Sequence, residues 1–211
     1  MTSSEGNFLL VLYGLYIWEC IYWLLPGEVS FTRSHKQWVM RRVTSLSFTL
    51  LGRTPLFRNP TSFRGGLIVC KSKSGEAAEM PRERRLQAQL RWVEYQSKFL
   101  RLSSSISGFY LLVLLPAIVV SGFFLPFWKL LAALFVIFHG LVIAEFFAAT
   151  RLWRSTDRNS YFQTLIAISL NPLAAIRSAD LLSKWVFEQA HPQQLETVLG
   201  KSRSIHVECV N

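Results

Sequence analysis

The sequence predicts a mainly α-helical integral membrane protein with three transmembrane helices, a small β-rich cytoplasmic insert and amphipathic cytoplasmic helices. The 211-residue chain is 51% hydrophobic but only 17% charged, below the roughly 25% usual for soluble domains. Its apolar residues occur in blocks, and the basic residues lie between these blocks. The composition also excludes a disordered chain, because disorder requires low hydrophobicity.

Two apolar runs in the middle of the chain are each long enough to cross a bilayer. Residues 109–128 carry no charge, and a hydrocarbon core about 30 Å thick needs about 20 helical residues. Residues 130–149 form an equally long run in which only His139 and Glu145 are ionisable. Because the short stretch 126–129 joins them, residues 109–150 are predicted to form a tight transmembrane hairpin.

The N-terminal region, residues 1–25, is predicted to hold the first transmembrane helix. Residues 8–25 contain a single charge, Glu19, and have aromatic residues near both ends, as at membrane interfaces. A cleaved signal peptide is the competing interpretation. It is disfavoured because residues 1–7 contain no Lys or Arg and no small-residue cleavage site follows.

The distribution of Lys and Arg predicts the orientation. Of the 23 basic residues, none precedes residue 26, and only Lys129 lies between the second and third apolar runs. Cytoplasmic loops are enriched in Lys and Arg, so we expect the N-terminus outside, in a plasma or inner membrane. This rule also accounts for the net charge of +10, and it favours anionic lipid headgroups over nucleic acid as partners.

Residues 26–80 are predicted to be a β-rich insert that ends in a linker. Residues 44–51 alternate apolar and polar side chains, as a half-buried strand does. Residues 28–32 and 66–71 are further strand candidates, and the Pro- and Gly-containing stretch between 52 and 66 is predicted to be a loop. A helix over residues 35–46 remains an alternative.

Residues 81–108 are predicted to form a basic amphipathic helix followed by a hinge at residues 103–108. Four apolar residues and one serine recur at steps of four and three and form one narrow seam along the helix: Leu86, Leu90, Val93, Ser97 and Leu100. The seam could pack on the β-rich insert or associate with a second copy of the chain.

The tail, residues 151–211, is predicted to hold a short apolar segment and then an amphipathic helix over residues 172–190. Asn171 and Pro172 are typical of a helix start. A fourth transmembrane helix over residues 161–176 is the alternative topology. Residues 193–211 are predicted to be a polar tail.

Three ionisable residues within the apolar runs are the candidate catalytic groups: Glu145, Glu19 and His139. Such residues are costly in a bilayer and suggest function. Glu19 and Glu145 fall at one predicted depth, where they could share a proton, bind a cation or pair with Arg151 or Arg154. The alternative is structural: one carboxylate pairs with or hydrogen-bonds to Tyr, Trp or Ser of a neighbouring helix, and the other extends to the membrane interface. In the same interpretation His139 hydrogen-bonds a neighbouring helix, and Gly140 beside it suggests close helix approach.

The remaining sites are weaker. Arg53, Arg58 and Arg64 could hold a lipid phosphate or headgroup. The sequence contains no recognised catalytic or nucleotide-binding motif and no Cys/His cluster, so we expect no metal and no cofactor.

These features favour a scaffold, assembly factor or regulatory subunit that acts through its cytoplasmic face. Its expected partners are a membrane protein or a second copy of the chain. Two alternatives are a membrane enzyme acting on a lipid or isoprenoid phosphate and an oligomeric channel or transporter component.

Overall fold

The computed structural model describes residues 3–24, 28–34, 37–43, 54–57, 67–71, 83–151, 158–187, 190–202 and 205–210. The chain forms two compact units that are each assembled from separate stretches of sequence. Residues 1–20 and 98–178 form the helical unit, and residues 21–97 and 179–211 form the mixed unit.

Most described residues are helical. The helices are α1 (Ser3–Glu19), α2 (Glu83–Phe109), α3 (Leu115–Val120), α4 (Phe124–Arg151), α5 (Arg158–Leu170), α6 (Pro172–Ala175), α7 (Ser178–Phe187) and α8 (Pro192–Ser202). A π-helical turn, Tyr110–Leu114, connects α2 to α3 without a break, and we call this continuous stretch the long helix. Among the described residues, the long helix and α4 are long and apolar enough to cross a membrane.

The turn between these two helices lies at residues 121–123, which corrects the prediction that residues 126–129 form it. Gly122 has a φ of 77°, a left-handed conformation that ends a helix and that glycine adopts without steric cost. Pro126 lies in the first turn of α4, where its missing N–H breaks no helical hydrogen bond.

The first helix ends earlier than the predicted span over residues 8–25. α1 stops at Glu19, and strand β1 (Ile21–Leu24) follows. β1 pairs antiparallel with β4 (Thr54–Phe57), so an interaction distant in sequence overrides the continuous apolar pattern.

The predicted hinge at residues 103–108 is instead a regular part of the long helix. Two of its serines hydrogen-bond within the helix: Ser104 Oγ donates to the Arg101 carbonyl at 3.2 Å, and Ser105 Oγ donates to the same carbonyl at 2.6 Å. These bonds satisfy the hydroxyls locally, so the serine-rich sequence does not interrupt the helix.

Asn171 and Pro172 begin a helix, as predicted. The Asn171 side chain accepts a 3.0 Å hydrogen bond from the Leu173 N–H, and Pro172 occupies the first helical position. The predicted single helix over 172–190 is wrong, because a turn at residues 176–177 separates α6 from α7. The same cap ends α5 after 13 residues, so residues 161–176 form no continuous fourth span.

The mixed unit contains a two-stranded sheet, β1–β4, and a four-stranded sheet. The latter comprises β2 (Glu28–Ser34), β3 (Gln37–Val43), β5 (Leu67–Lys71) and β6 (Ile205–Val210), in the order β5-β2-β3-β6. β6 pairs parallel to β3, and the other pairs are antiparallel.

Strands β2 and β5 overlap the predicted strands at 28–32 and 66–71, whereas the predicted strand at 44–51 lies outside the described residues. The alternative helix over 35–46 is wrong over residues 37–43, which form β3. The predicted loop at 52–66 contains β4, and the predicted polar tail contains most of α8 and all of β6. Strands β4 and β6 form by pairing with distant strands, which local composition does not encode.

Helices cover one face of the four-stranded sheet. In β5, Ile68 and Cys70 belong to the core beneath the helices, and the alternate residues Leu67 and Val69 belong to a second core with β1 and β4. The seam of α2 joins the larger core through Leu86 and Val93. This part of the seam therefore packs within the chain.

Candidate functional site

Glu145 is held by a serine of the long helix. The Ser103 hydroxyl donates a 2.6 Å hydrogen bond to Glu145 Oε2, and the Ser103 side chain is buried. Because Glu145 lies on α4, this bond ties together the two helices that are long and apolar enough to cross a membrane.

His139, one turn and a half earlier on α4, contacts α5. Its Nε2 lies 2.9 Å from the Ser169 carbonyl oxygen, and since a carbonyl only accepts, Nε2 carries the proton. The ring stacks on Phe135 with centroids 5.6 Å apart. Close helix approach at Gly140 is not observed: among the described residues, no atom of another helix lies within 4 Å of a Cβ placed there.

Glu19 at the end of α1 is held by two residues of the α5–α7 region. Asn171 Nδ2 donates a 2.7 Å hydrogen bond to Glu19 Oε1, and Arg177 Nη1 lies 4.0 Å from Glu19 Oε2. Asn171 thus caps α6 with its oxygen and binds α1 with its nitrogen. Sequence reasoning expected Arg151 or Arg154 near a carboxylate, but Arg151 is exposed and Arg154 lies outside the described residues.

Arg177 provides a fixed positive charge opposite Glu19. Burial lowers the pKa of its guanidinium to about 10, while the nearby Cys20, Glu19 and Tyr16 act in the opposite direction. Its side chain is only 12% exposed. At neutral pH the side chain therefore remains a cation in a largely water-excluded setting.

Two tyrosines also satisfy backbone groups of the helical unit, and sequence reasoning did not identify them. The Tyr13 hydroxyl donates to the Leu112 carbonyl at 2.7 Å, and the Tyr110 hydroxyl donates to the Leu131 carbonyl. Pro116 has no N–H with which to bond the carbonyl four residues before it, that of Leu112. Pro116 lies within the apolar run, and its missing N–H is the signal that a nearby carbonyl lacks its usual helical donor.

These contacts limit the chemistry available to the candidate residues. No hydrogen bond or salt bridge links Glu19 to Glu145 in the described part of the chain, and each carboxylate has its own partners. The described residues contain no group of three His, Cys, Asp or Glu side chains placed to hold a metal ion. Arg53, Arg58 and Arg64 lie outside the described residues.

The thiol of Cys70 in the mixed unit is protonated and unreactive at neutral pH. Burial, with the negative charge of Glu28 as a second cause, raises its pKa from 9.0 to about 12. Its Sγ lies 3.6 Å from the Val29 carbonyl oxygen. Since the thiolate is the reactive form, Cys70 is a core residue and a poor nucleophile at neutral pH.

Comparison of the chain with known protein families, curated proteins and solved structures gives no match.

Proposed function

We propose that this chain is an integral membrane protein whose helical unit lies in the bilayer. It acts without catalysis, as a scaffold, assembly factor or regulatory subunit that engages its partner through the cytoplasmic face. One observation carries the proposal: the candidate catalytic side chains of the helical unit contact neighbouring helices, while the outward surface of the unit is apolar.

The apolar surface is extensive. Only 17% of the most apolar window of α4, and 39% of that of the long helix, is buried inside the chain. Burying apolar surface is worth about 25 cal/mol per Å², so leaving this much exposed to water would be strongly unfavourable. The large apolar side chains exposed on α4 include Leu125, Phe127, Leu130, Val136, Ile137, Leu141 and Phe147.

The lengths and ends of the helices suit a bilayer. The 28 residues of α4 extend about 42 Å, more than the roughly 30 Å of a hydrocarbon core. Trp128 and Lys129 lie near one end, with the Lys129 Nζ 5.9 Å from the indole ring, and Arg151 lies at the other. We assign the Arg151 end to the cytoplasm, in line with the positive-inside rule.

In this proposal α1 also crosses the membrane, as the first of three spans in the chain, with its N-terminus outside. The Tyr13 hydroxyl of α1 donates a hydrogen bond to the long helix. On the outward side of α1, the apolar side chains of Leu10, Leu15 and Trp18 are exposed. Basic residues of the cytoplasmic regions would then meet anionic headgroups.

The contacts favour this role over the two alternatives. A lipid-phosphate enzyme would need a carboxylate free to act as base, yet Glu145 accepts a short hydrogen bond from Ser103. A channel or transporter component would need carboxylates along an open path, yet Glu19 is held by Asn171 and faces Arg177.

Native mass spectrometry after extraction with surrounding lipid tests the subunit role. We expect the full-length chain in a complex of fixed stoichiometry with a second membrane protein or a second copy. Glu19→Gln and Glu145→Gln should leave both that complex and the complementation of a deletion strain unchanged. An amide cannot replace a catalytic carboxylate, so either variant would lose function if its carboxylate were catalytic. A purely monomeric chain, or loss of complementation by a variant that folds normally, would contradict the proposal.

A further inference from the structure

The mixed unit contains a cavity of about 290 Å³ between β3, α2 and α8. Its apolar lining consists of Trp38, Leu90, Val198 and Leu199. Three of these side chains are at most 5% exposed and belong to the larger core of the unit. The cavity therefore reaches the hydrophobic core and is more than a depression between surface side chains.

One side of the cavity is polar. Gln87, Arg91 and Glu94 also line it, and their spacing of four and three residues places them along one face of α2. The cavity thus combines an apolar surface with an amide, a cation and an anion, as small-molecule sites commonly do.

The charges of this polar side differ in availability. Gln87 and Glu94 already interact with other groups of the protein. Arg91 is exposed, and its guanidinium has no hydrogen bond or ion pair within the described residues. A guanidinium presents paired N–H donors that match a carboxylate, so the available charge of this cavity selects an anion.

We propose that this cavity binds a small amphipathic acid, with the apolar body of the ligand on Trp38 and Leu90 and its carboxylate on Arg91. The volume lies just below the roughly 300–1,000 Å³ typical of ligand pockets, which limits the ligand to a compact molecule. An aromatic body gains additional contact energy from the indole of Trp38. The site would give the proposed subunit a small-molecule ligand, and it does not depend on the membrane assignment.

Ligand-observed saturation-transfer NMR on the full-length chain in phosphatidylcholine nanodiscs tests this site. The probes are 3-phenylpropionate and its uncharged analogue 3-phenylpropan-1-ol, with protein-free nanodiscs as the blank. We expect the acid to bind the parent protein, and the alcohol to bind about tenfold or more weakly, because a neutral hydroxyl forms neither an ion pair nor paired hydrogen bonds with the guanidinium.

Two matched variants on the same helix separate the site from general electrostatics. Arg91→Gln should weaken binding of the acid about tenfold or more, whereas Arg84→Gln, also exposed on α2 but outside the cavity lining, should leave it unchanged. Gln87→Trp, which fills the cavity from its polar side, should abolish binding. Equal binding of acid and alcohol, equal effects of the two arginine variants, or no binding to the parent would each overturn the proposal.

Discussion

The Ser103 hydroxyl donates a 2.6 Å hydrogen bond to the Glu145 carboxylate and joins two helices that are each long and apolar enough to cross a membrane. A carboxylate inside such a helix usually suggests chemistry. Here its partner is a neutral hydroxyl on a neighbouring helix, so the interaction stabilises the packing of the helical unit. Glu19 and His139 likewise contact other helices of this unit.

Removing Glu145 should destabilise the protein only through its bond to Ser103. We expect Glu145→Leu to lower the free energy of unfolding in mixed micelles by about 1 kcal/mol, and Glu145→Gln to stay close to the parent because its amide oxygen still accepts. Ser103→Ala should add little in the Glu145→Leu background. Ser121→Ala is the control, since among the described residues Ser121 Oγ bonds only the Ile118 carbonyl, three residues earlier in the chain. Fully additive losses would show that the two side chains do not interact.

The Tyr13 hydroxyl should matter because Pro116 cannot donate to the Leu112 carbonyl. We expect Tyr13→Phe to cost about 1 kcal/mol of unfolding free energy, the price of an unsatisfied carbonyl. In the Pro116→Ala background the restored N–H can bond this carbonyl, so the same substitution should cost clearly less. An equal cost in both backgrounds, measured in the same micelles, would refute this explanation.

Cys70 should make stability fall at alkaline pH. Its folded pKa of about 12 exceeds the ordinary value of 9.0, so the folded chain retains a proton that the unfolded chain releases. The contribution is fully present below pH 9 and is lost as the pH rises through about 12, with a slope of about 1.4 kcal/mol per pH unit. Between about pH 8 and about pH 10.5, urea unfolding should therefore show the parent losing about 2 kcal/mol more than Cys70→Ala. Identical losses would mean that the thiol titrates normally in the folded state.

The orientation is testable by cysteine accessibility in intact cells, in a background without Cys20, Cys70 and Cys209. A cysteine at position 4 should react with a membrane-impermeant reagent, and cysteines at positions 75 and 205 should react only after permeabilisation. Labelling of position 205 from outside would instead require an even number of crossings.

Local sequence patterns were sufficient for α4 beyond its first turns and for the start of α6. Twenty apolar residues suit one long helix, and Asn171 with Pro172 supplies a cap that needs no distant partner. They also marked residues 28–32 and 66–71 as strands, because these runs carry their own apolar pattern and turn residues.

Elements fixed by distant partners were not predictable. The residues of β1 are as apolar as those of α1, and only pairing with Thr54–Phe57 makes them a strand. β6 has the polar composition of an irregular tail. It is a strand because it pairs with β3, more than a hundred residues earlier. The Glu19–Arg177 contact depends on the same kind of long-range packing, which explains why the sequence did not point to Arg177.

The most direct test of the membrane assignment is the collision accessibility of spin labels on α4 in lipid bilayers. Val136 is 67% exposed in the chain and Val142 is fully buried, so only the first should face lipid. A label at position 136 should collide frequently with oxygen, which concentrates in the hydrocarbon, and rarely with a water-soluble nickel chelate. A label at position 142 should be shielded from both, and one at Arg84, exposed on α2, should favour the chelate. If the label at position 136 is as accessible to the chelate as the label at position 84, α4 faces water and the helical unit does not lie in a membrane.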